Sequence, residues 1–136
     1  MSKLIEVELV RIRIDEKRGD QVIVLKEKKG ERYLPIVIGI IEATAIKMKV
    51  SGFKPPRPLT HDLLNNLIIQ MGAKLEKVVV TKLENNIFYA KLVVRKSDGE
   101  LIEVDARPSD SIALALRAGA PIFVEEEVLE QAEMKG

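Results

Sequence analysis

Hydrophobic and polar residues alternate through much of the first 38 residues of the chain, and this period of two predicts β-strands. In the first strand the apolar side chains change faces at Leu9 and Val10, which predicts a β-bulge or a strand buried on both sides. Pro35 removes a hydrogen-bond donor from the third strand, so we expect that strand to be bulged or at a sheet edge. The three predicted strands span residues 3–15, 21–28 and 31–38.

Three later segments carry the spacing of three and four residues that predicts helices. The first begins at Gly39, the second near Thr60, which is a good N-cap, and the third at Pro108, which suits a first helical turn. The third helix is apolar all round in its middle, so we expect it to be buried. The core-facing residues predicted for the first helix are Ile41, Ala45 and Met48. Those predicted for the second helix are Leu63, Leu64, Leu67, Ile68 and Met71.

Four further strands complete the pattern, and a helix or tail is predicted over residues 125–132. Because the strands arrive in runs rather than in strict alternation with helices, the pattern predicts an α+β fold. We expect a mostly antiparallel or mixed sheet with three main helices. No linker divides the chain, which predicts a single compact domain over residues 1–136 with its core at about residues 5–125. These further strands are predicted at residues 74–83, 87–96, 101–107 and 121–124.

Composition narrows the class of protein. The 136 residues are 46% hydrophobic and 32% charged, which is typical of a globular chain. Cysteine is absent, so disulfides and thiolate chemistry are excluded, and no run approaches the roughly 20 apolar residues of a membrane helix. We therefore expect a cytoplasmic protein with no membrane association, and the many Lys and Glu residues favour a thermophilic source. The net charge of +1 argues against strong non-specific binding to nucleic acid, although it permits a local basic patch.

Two arginines precede helix starts, in Arg57-Pro58 and Arg107-Pro108. A helix N-terminus is electropositive, so an arginine placed there needs a negative partner. That partner is either a nearby carboxylate, which makes the pair a structural clamp, or a bound phosphate, with Thr60 and Ser109 as further substrate-binding residues. The most economical arrangement gathers both arginines into one cluster with the nearest carboxylates. Those carboxylates are Asp62, Asp105 and Asp110.

The same segments contain the residues that could carry chemistry. His61 is the only histidine and is a candidate for proton transfer, with a structural hydrogen bond as the alternative. Glu42 interrupts an apolar stretch and is expected either to face solvent or to pair with an arginine. Asp105 and Asp110, with Glu42, could share a divalent cation such as Mg²⁺ or Mn²⁺. Asp105 also lies on a strand face with Glu103 and could simply be solvated. The candidate catalytic set is His61, Asp62, Asp105 and Asp110.

These segments as a set resemble the bifunctional nuclease family. The resemblance covers about residues 5–125 and implies a small α+β fold that associates into oligomers. The edge-like strand at residues 31–38 and the apolar residues on both faces of residues 21–25 predict a dimer as the simplest oligomer. Plant members are described as acting on both RNA and DNA, so the resemblance implies a nuclease that hydrolyses phosphodiester bonds. Metal assistance is expected from the carboxylates Glu42, Asp62, Asp105 and Asp110 beside Arg57 and Arg107. The alternative is a non-catalytic oligomeric module that binds an anion or a protein. The similar segments are LPIVIG at residues 34–39, Glu42-Ala43, RPLTHDLL at 57–64, NIFYAKL at 86–92, DARPSDSIALA at 105–115 and APIFV at 120–124.

Overall fold

The computed structural model describes residues 3–15, 17 and 19–135, with side chains as far as residue 132. Over this part of the chain, runs of strands are separated by helices, which confirms the α+β class. The strands are β1 (Leu4–Ile14), β2 (Gln21–Glu27), β3 (Tyr33–Ile38), β4 (Lys74–Glu84), β5 (Ile87–Arg95), β6 (Leu101–Ala106) and β7 (Ile122–Glu125). The helices are α1 (Ile40–Val50), α2 (Thr60–Gln70), α3 (Pro108–Ala118) and α4 (Glu126–Lys135). Along these described residues, no helix is long and apolar enough to cross a membrane.

The strands form one seven-stranded sheet in the order β3-β2-β1-β7-β4-β5-β6. Within the described sheet, only β4 and β7 run parallel, which confirms a mixed and mostly antiparallel sheet. β3 is an edge strand, as Pro35 predicts. The register of β1 against β2 shifts between Leu9 and Arg11, which confirms the bulge. The extra residue, Val10, is 44% exposed, and the bulge lets apolar residues before and after it pack on the same core.

α3 is the centre of the helical layer. It packs against α1 and α2 on one side and against β4 and β5 on the other. Its sequence explains this position, because Ile112, Ala113 and Leu114 are fully buried and leave no polar face in the middle of the helix. Gly119 ends the helix with a φ of 68°, a conformation that other residues rarely adopt.

The structure corrects the apolar faces predicted for the other two helices. In α1 the buried residues are Ala43 and Ile46, whereas Ile41 is 75% exposed. The segment is apolar on several sides, so periodicity alone selects the wrong stripe. In α2 only part of the predicted face is covered: Leu64 and Ile68 pack against the core. Three other members of that face remain exposed, namely Leu63 (61%), Leu67 (53%) and Met71 (76%).

Candidate functional site

Three helices each carry a carboxylate at the third position after the N-cap. The N-caps are Gly39 for α1, Leu59 for α2 and Arg107 for α3. Leu59 rather than Thr60 is therefore the N-cap of α2, which corrects the sequence prediction. A carboxylate in the first turn faces unpaired backbone N–H groups and the positive end of the helix dipole. The three carboxylates are Glu42, Asp62 and Asp110.

Asp110 links the starts of α2 and α3. Its Oδ2 accepts hydrogen bonds from Arg107, with 2.9 Å to both Nε and Nη2, and its Oδ1 lies 3.0 Å from Nε2 of His61. The His61 side chain is 8% exposed, so this imidazole is held inside the helical layer. An ionised carboxylate only accepts hydrogen bonds, which means that Nε2 of His61 carries the ring proton. The pair therefore fixes both the tautomer and the orientation of the imidazole.

The other ring nitrogen of His61, Nδ1, is not bonded by the described part of the protein. Nδ1 has no hydrogen-bond partner among the described residues. In the same part of the chain, no solvent-inaccessible side-chain nitrogen or oxygen lacks a partner. Nδ1 therefore keeps access to solvent and, with the proton on Nε2, presents a lone pair that can accept a proton.

Glu42 extends the network to the start of α1. Its Oε2 lies 3.2 Å from Nη2 of Arg107, and its side chain is only 13% exposed. The carboxylate curls back over Gly39, where an added Cβ would lie 2.5 Å from Oε1 of Glu42. The pairing of Glu42 with an arginine, one of two alternatives from the sequence, is thus present. Arg107 itself is 66% exposed, and no described residue bonds its Nη1, so this arginine still faces solvent with a free donor.

Asp62 is bound by an arginine that the sequence did not single out. Its Oδ1 accepts a hydrogen bond from Nε of Arg117 at 2.9 Å, and its Oδ2 accepts one from the backbone N–H of Leu59 at 2.9 Å. These bonds, led by the one from Leu59, lower the pKa of Asp62 below its ordinary value of 3.8, although burial acts in the opposite direction. Asp62 is therefore ionised at neutral pH and already neutralised by a fixed partner.

Arg117 ties three helices together. Besides Asp62 of α2, its guanidinium donates to the carbonyl of Ala113 in α3 at 2.9 Å and to the carbonyl of Ala45 in α1 at 3.1 Å. The side chain is 5% exposed. The available signal was a lone cation that follows the apolar run Ile112 to Leu116 in the second half of α3, since such a cation must find buried partners.

The structure therefore gathers a different set of residues from the cluster that the sequence predicted. Asp62, Arg107 and Asp110 do lie in the network of helix starts. Arg57 is exposed and bonds no described residue, so Arg117 takes the place expected for Arg57. Asp105 lies exposed on β6, opposite Lys91, with no bond to the described part of the chain. Arg57 stands two positions before Leu59, the N-cap of α2, whereas Arg107 is itself the N-cap of α3. Of the two predicted substrate-binding hydroxyl residues, Thr60 is exposed and Ser109 is 4% exposed.

A divalent cation does not fit this arrangement. In the chain as described, no three His, Asp or Glu side chains form a group that could hold a metal ion. The physical reason is that Glu42 and Asp110 both point their oxygens at Arg107, while Asp62 is bonded by Arg117. Asp105, which was to complete the metal set with Glu42 and Asp110, lies outside the network.

The fold and the site define a class: a small α+β protein in which a histidine–carboxylate pair lies beside an exposed arginine where helices begin. A family model for the bifunctional nuclease domain matches residues 23–136, and the chain belongs to this family. This confirms the resemblance seen in the sequence.

Named relatives are similar over most of this chain. An uncharacterized protein of Mycobacterium tuberculosis is 49% identical over 127 residues, which are 93% of this chain and 75% of that protein. Bifunctional nuclease 1 of Arabidopsis thaliana is 30% identical over 105 residues, 75% of this chain and 32% of the plant protein. Bifunctional nuclease 1 of Oryza sativa subsp. japonica is 26% identical over 120 residues, 86% of this chain and 36% of the relative. The chain thus spans about a third of these two plant proteins.

Proposed function

We propose that this protein is a nuclease that hydrolyses phosphodiester bonds in DNA, in RNA or in both. One observation carries the proposal: His61 is oriented by Asp110 through Nε2, while its Nδ1 has no hydrogen-bond partner among the described residues. A histidine held in this way by a carboxylate is the usual device for moving a proton at neutral pH. Membership of the bifunctional nuclease domain family supports phosphodiesters as the substrate class.

The proposed reaction needs only water as the nucleophile. Nδ1 of His61 accepts the proton of a water molecule while the water oxygen forms a bond to phosphorus. The P–O bond to the departing nucleotide then breaks, and the imidazolium returns the proton to the leaving oxygen. Asp110 stabilises the positive charge on the ring between these steps, as carboxylates do for catalytic histidines.

Arg107 supplies the charge that the phosphate requires. Its guanidinium is anchored by Asp110 and Glu42 yet is 66% exposed, so its free Nη1 can donate to a phosphate oxygen without moving the anchored side. A fixed donor of this kind stabilises the negative charge that builds up on the phosphoryl oxygens in the transition state.

Cleavage of end-labelled DNA and RNA by the purified protein tests the proposal. The wild type should release shortened products, and Asp110→Asn should lower the rate by about a hundredfold because the imidazole loses its orienting carboxylate. Asp105→Asn is the matched control, since Asp105 is an exposed aspartate outside the network. Equal rates for the two variants would contradict the assignment of the site, and no cleavage by the wild type would contradict the activity.

Divalent-cation dependence is a separate arm of the same assay. Mg²⁺ or Mn²⁺ assistance stays a prediction from the sequence, since the carboxylates that were to hold the ion are paired with arginines. Cleavage that persists in excess EDTA is the result expected from the geometry. Cleavage that needs added Mg²⁺ or Mn²⁺ would instead mean that substrate binding releases Glu42 and Asp110 from Arg107.

We also propose that the protein associates with a second copy of itself. The support is the apolar stripe of α2, where Leu63, Leu67 and Met71 recur at a spacing of four residues and stay more than half exposed. The same stripe favours the alternative function, a non-catalytic module that binds a partner. Sedimentation of the wild type at micromolar concentration should give a dimer, and Leu67→Glu should give a monomer. A monomeric wild type would contradict self-association.

A further inference from the structure

A groove adjoins the start of α2, separate from the surface of Arg107. It lies between the last turn of α1, the connecting residues 51–59 and the first turns of α2, and its volume is about 370 Å³. It meets the proposed catalytic site through Asp62, the neighbour of His61 in the chain, and through Arg117. The lining residues that decide its character are Lys49, Phe53, Lys54, Arg57, Asp62 and Arg117.

The groove carries an excess of unpaired positive charge. Lys54 and Arg57 form no hydrogen bond or ion pair with any described residue, whereas the charge of Lys49 helps to lower the pKa of Asp62. Among the described lining residues, Asp62 is the only carboxylate, and it is already bonded by Arg117. Cations gathered without counter-charges repel one another, and an anionic ligand would relieve that repulsion. A chain with a net charge of only +1 thus places two unpaired cations, Lys54 and Arg57, beside Lys49 and Arg117 in one groove.

An aromatic ring lies among these cations. Phe53 is 52% exposed, although a phenylalanine normally buries its ring. Its backbone is anchored, because its N–H donates to the carbonyl of Met48 at 3.0 Å and the residues after it include Pro55 and Pro56. An exposed aromatic ring in a groove lined by unpaired cations is the arrangement that proteins use to stack an unpaired nucleobase.

We propose that this groove binds single-stranded nucleic acid. An unpaired base stacks on Phe53, and the phosphates on either side of it contact Arg57 and Lys54. A duplex is excluded from this contact because its bases are already stacked and paired within the helix. The choice of a nucleic acid as ligand rests on the proposed nuclease function. The groove adds that the nucleic acid it binds is single-stranded.

The salt dependence of the binding constant distinguishes phosphate contacts with cations from base stacking on Phe53. The probe is a fluorescein-labelled single-stranded DNA of about 15 nucleotides, with binding followed by fluorescence anisotropy in EDTA. Each phosphate contact on a single strand contributes about 0.7 to the slope of log K against log salt. Arg57→Gln should therefore weaken binding and flatten the slope by about 0.7. Phe53→Leu should weaken binding about tenfold and leave the slope unchanged, because stacking releases no counterions.

Two matched variants serve as controls. Tyr33→Leu removes an aromatic ring that is also 52% exposed and that lies on the edge strand β3, outside the groove. Arg13→Gln removes an exposed arginine of β1 that bonds no described residue. Neither variant should change the affinity by more than about twofold. Neither should change the slope of log K against log salt by as much as about 0.7, the contribution of one phosphate contact. A duplex of the same sequence should bind at least tenfold more weakly than the single strand to the wild type.

The proposal that the groove binds single strands and the proposed nuclease activity can be contradicted independently of each other. If Phe53→Leu and Tyr33→Leu bind alike, or if the duplex binds as tightly as the single strand, the proposal is overturned, whatever the protein cleaves. If the predicted binding pattern appears but intact strands are recovered after incubation without EDTA, the groove stands and the proposed hydrolysis fails. Circular dichroism of each variant confirms that the fold is intact, which the exposure of Phe53 and Arg57 leads us to expect.

Discussion

Replacing Arg117 by methionine tests how the starts of the helices are held together. The substitution keeps the length and apolar stem of the side chain but removes three hydrogen bonds, to Asp62, Ala113 and Ala45. The carboxylate of Asp62 then keeps only the N–H of Leu59, and the Ala45 carbonyl loses the hydrogen bond that it accepts from α3. All of this happens around a side chain that is 5% exposed.

The expected loss follows from the burial of both partners. Breaking a buried ion pair on one side costs about 3–5 kcal/mol, because the remaining charge stays in a poorly solvated place. Asp62 is 30% exposed, so water replaces part of the lost interaction, and the lower end of the range, about 3 kcal/mol, applies. A domain of this size is stable by roughly 5–15 kcal/mol, so the variant should still fold but melt about 10 °C lower.

Urea unfolding followed by circular dichroism measures this loss. Arg117→Lys keeps the charge but cannot reach three acceptors, so it should lose at least half as much stability as Arg117→Met. A double-mutant cycle with Asp62→Asn should give a coupling energy of about 1–2 kcal/mol. Arg95→Met is the control, since Arg95 makes similar bonds to Glu76 and the Gly99 carbonyl at an exposed site and should lose much less. A loss for Arg117→Met no larger than that for Arg95→Met would refute the reasoning.

Two further predictions concern Glu27, the last residue of β2. Arg32 bonds Glu27 and, through two hydrogen bonds of 2.9 Å, Glu126 of α4, so it joins β2 to α4. A Cβ at Gly30 would overlap the end of the Glu27 side chain, so Gly30→Ala should destabilise the wild type by about 1–2 kcal/mol. It should add little in a Glu27→Ala background, where the overlapping carboxylate atoms are absent, and equal effects in both backgrounds would contradict this. The hydrogen bond from Arg32 lowers the pKa of Glu27 below its ordinary 4.5, so this pair stabilises the fold fully above pH 4.5 and loses its contribution as the pH falls through the lowered pKa. Acid unfolding followed by circular dichroism should therefore be steeper for the wild type than for Glu27→Gln, and identical pH dependence would count against the pair.

Local signals were sufficient for most of the fold. The change of faces at Val10 predicted the bulge, and Pro35 predicted the edge position of β3. The Asn85-Asn86 turn, with φ values of 54° and 65°, joins β4 and β5, which were predicted as strands at residues 74–83 and 87–96. Pro108 begins α3 as expected. Each of these features depends on residues that are neighbours in the chain, which is why the sequence alone predicts them.

The candidate site was only partly predictable because its bonds span long stretches of the chain. Arg117 reaches Asp62 across 55 positions and Ala45 across 72, and no local pattern encodes such distances. Arg57 has the same Arg-Pro context as Arg107. Only Arg107, however, is an N-cap, and it bonds Asp110, the carboxylate three residues later. The exposed stripe of α2 was assigned to the core because periodicity shows that a face is apolar but not what covers it.

The rate of phosphodiester cleavage by His61→Gln, relative to the wild type, tests the central claim most directly. Glutamine keeps a side-chain donor for Asp110 but cannot take up a proton near neutral pH, so the account predicts a fall of about 10²–10⁴-fold with nearly unchanged binding of the substrate. A His61→Gln protein that cleaves DNA or RNA at the wild-type rate would contradict the account.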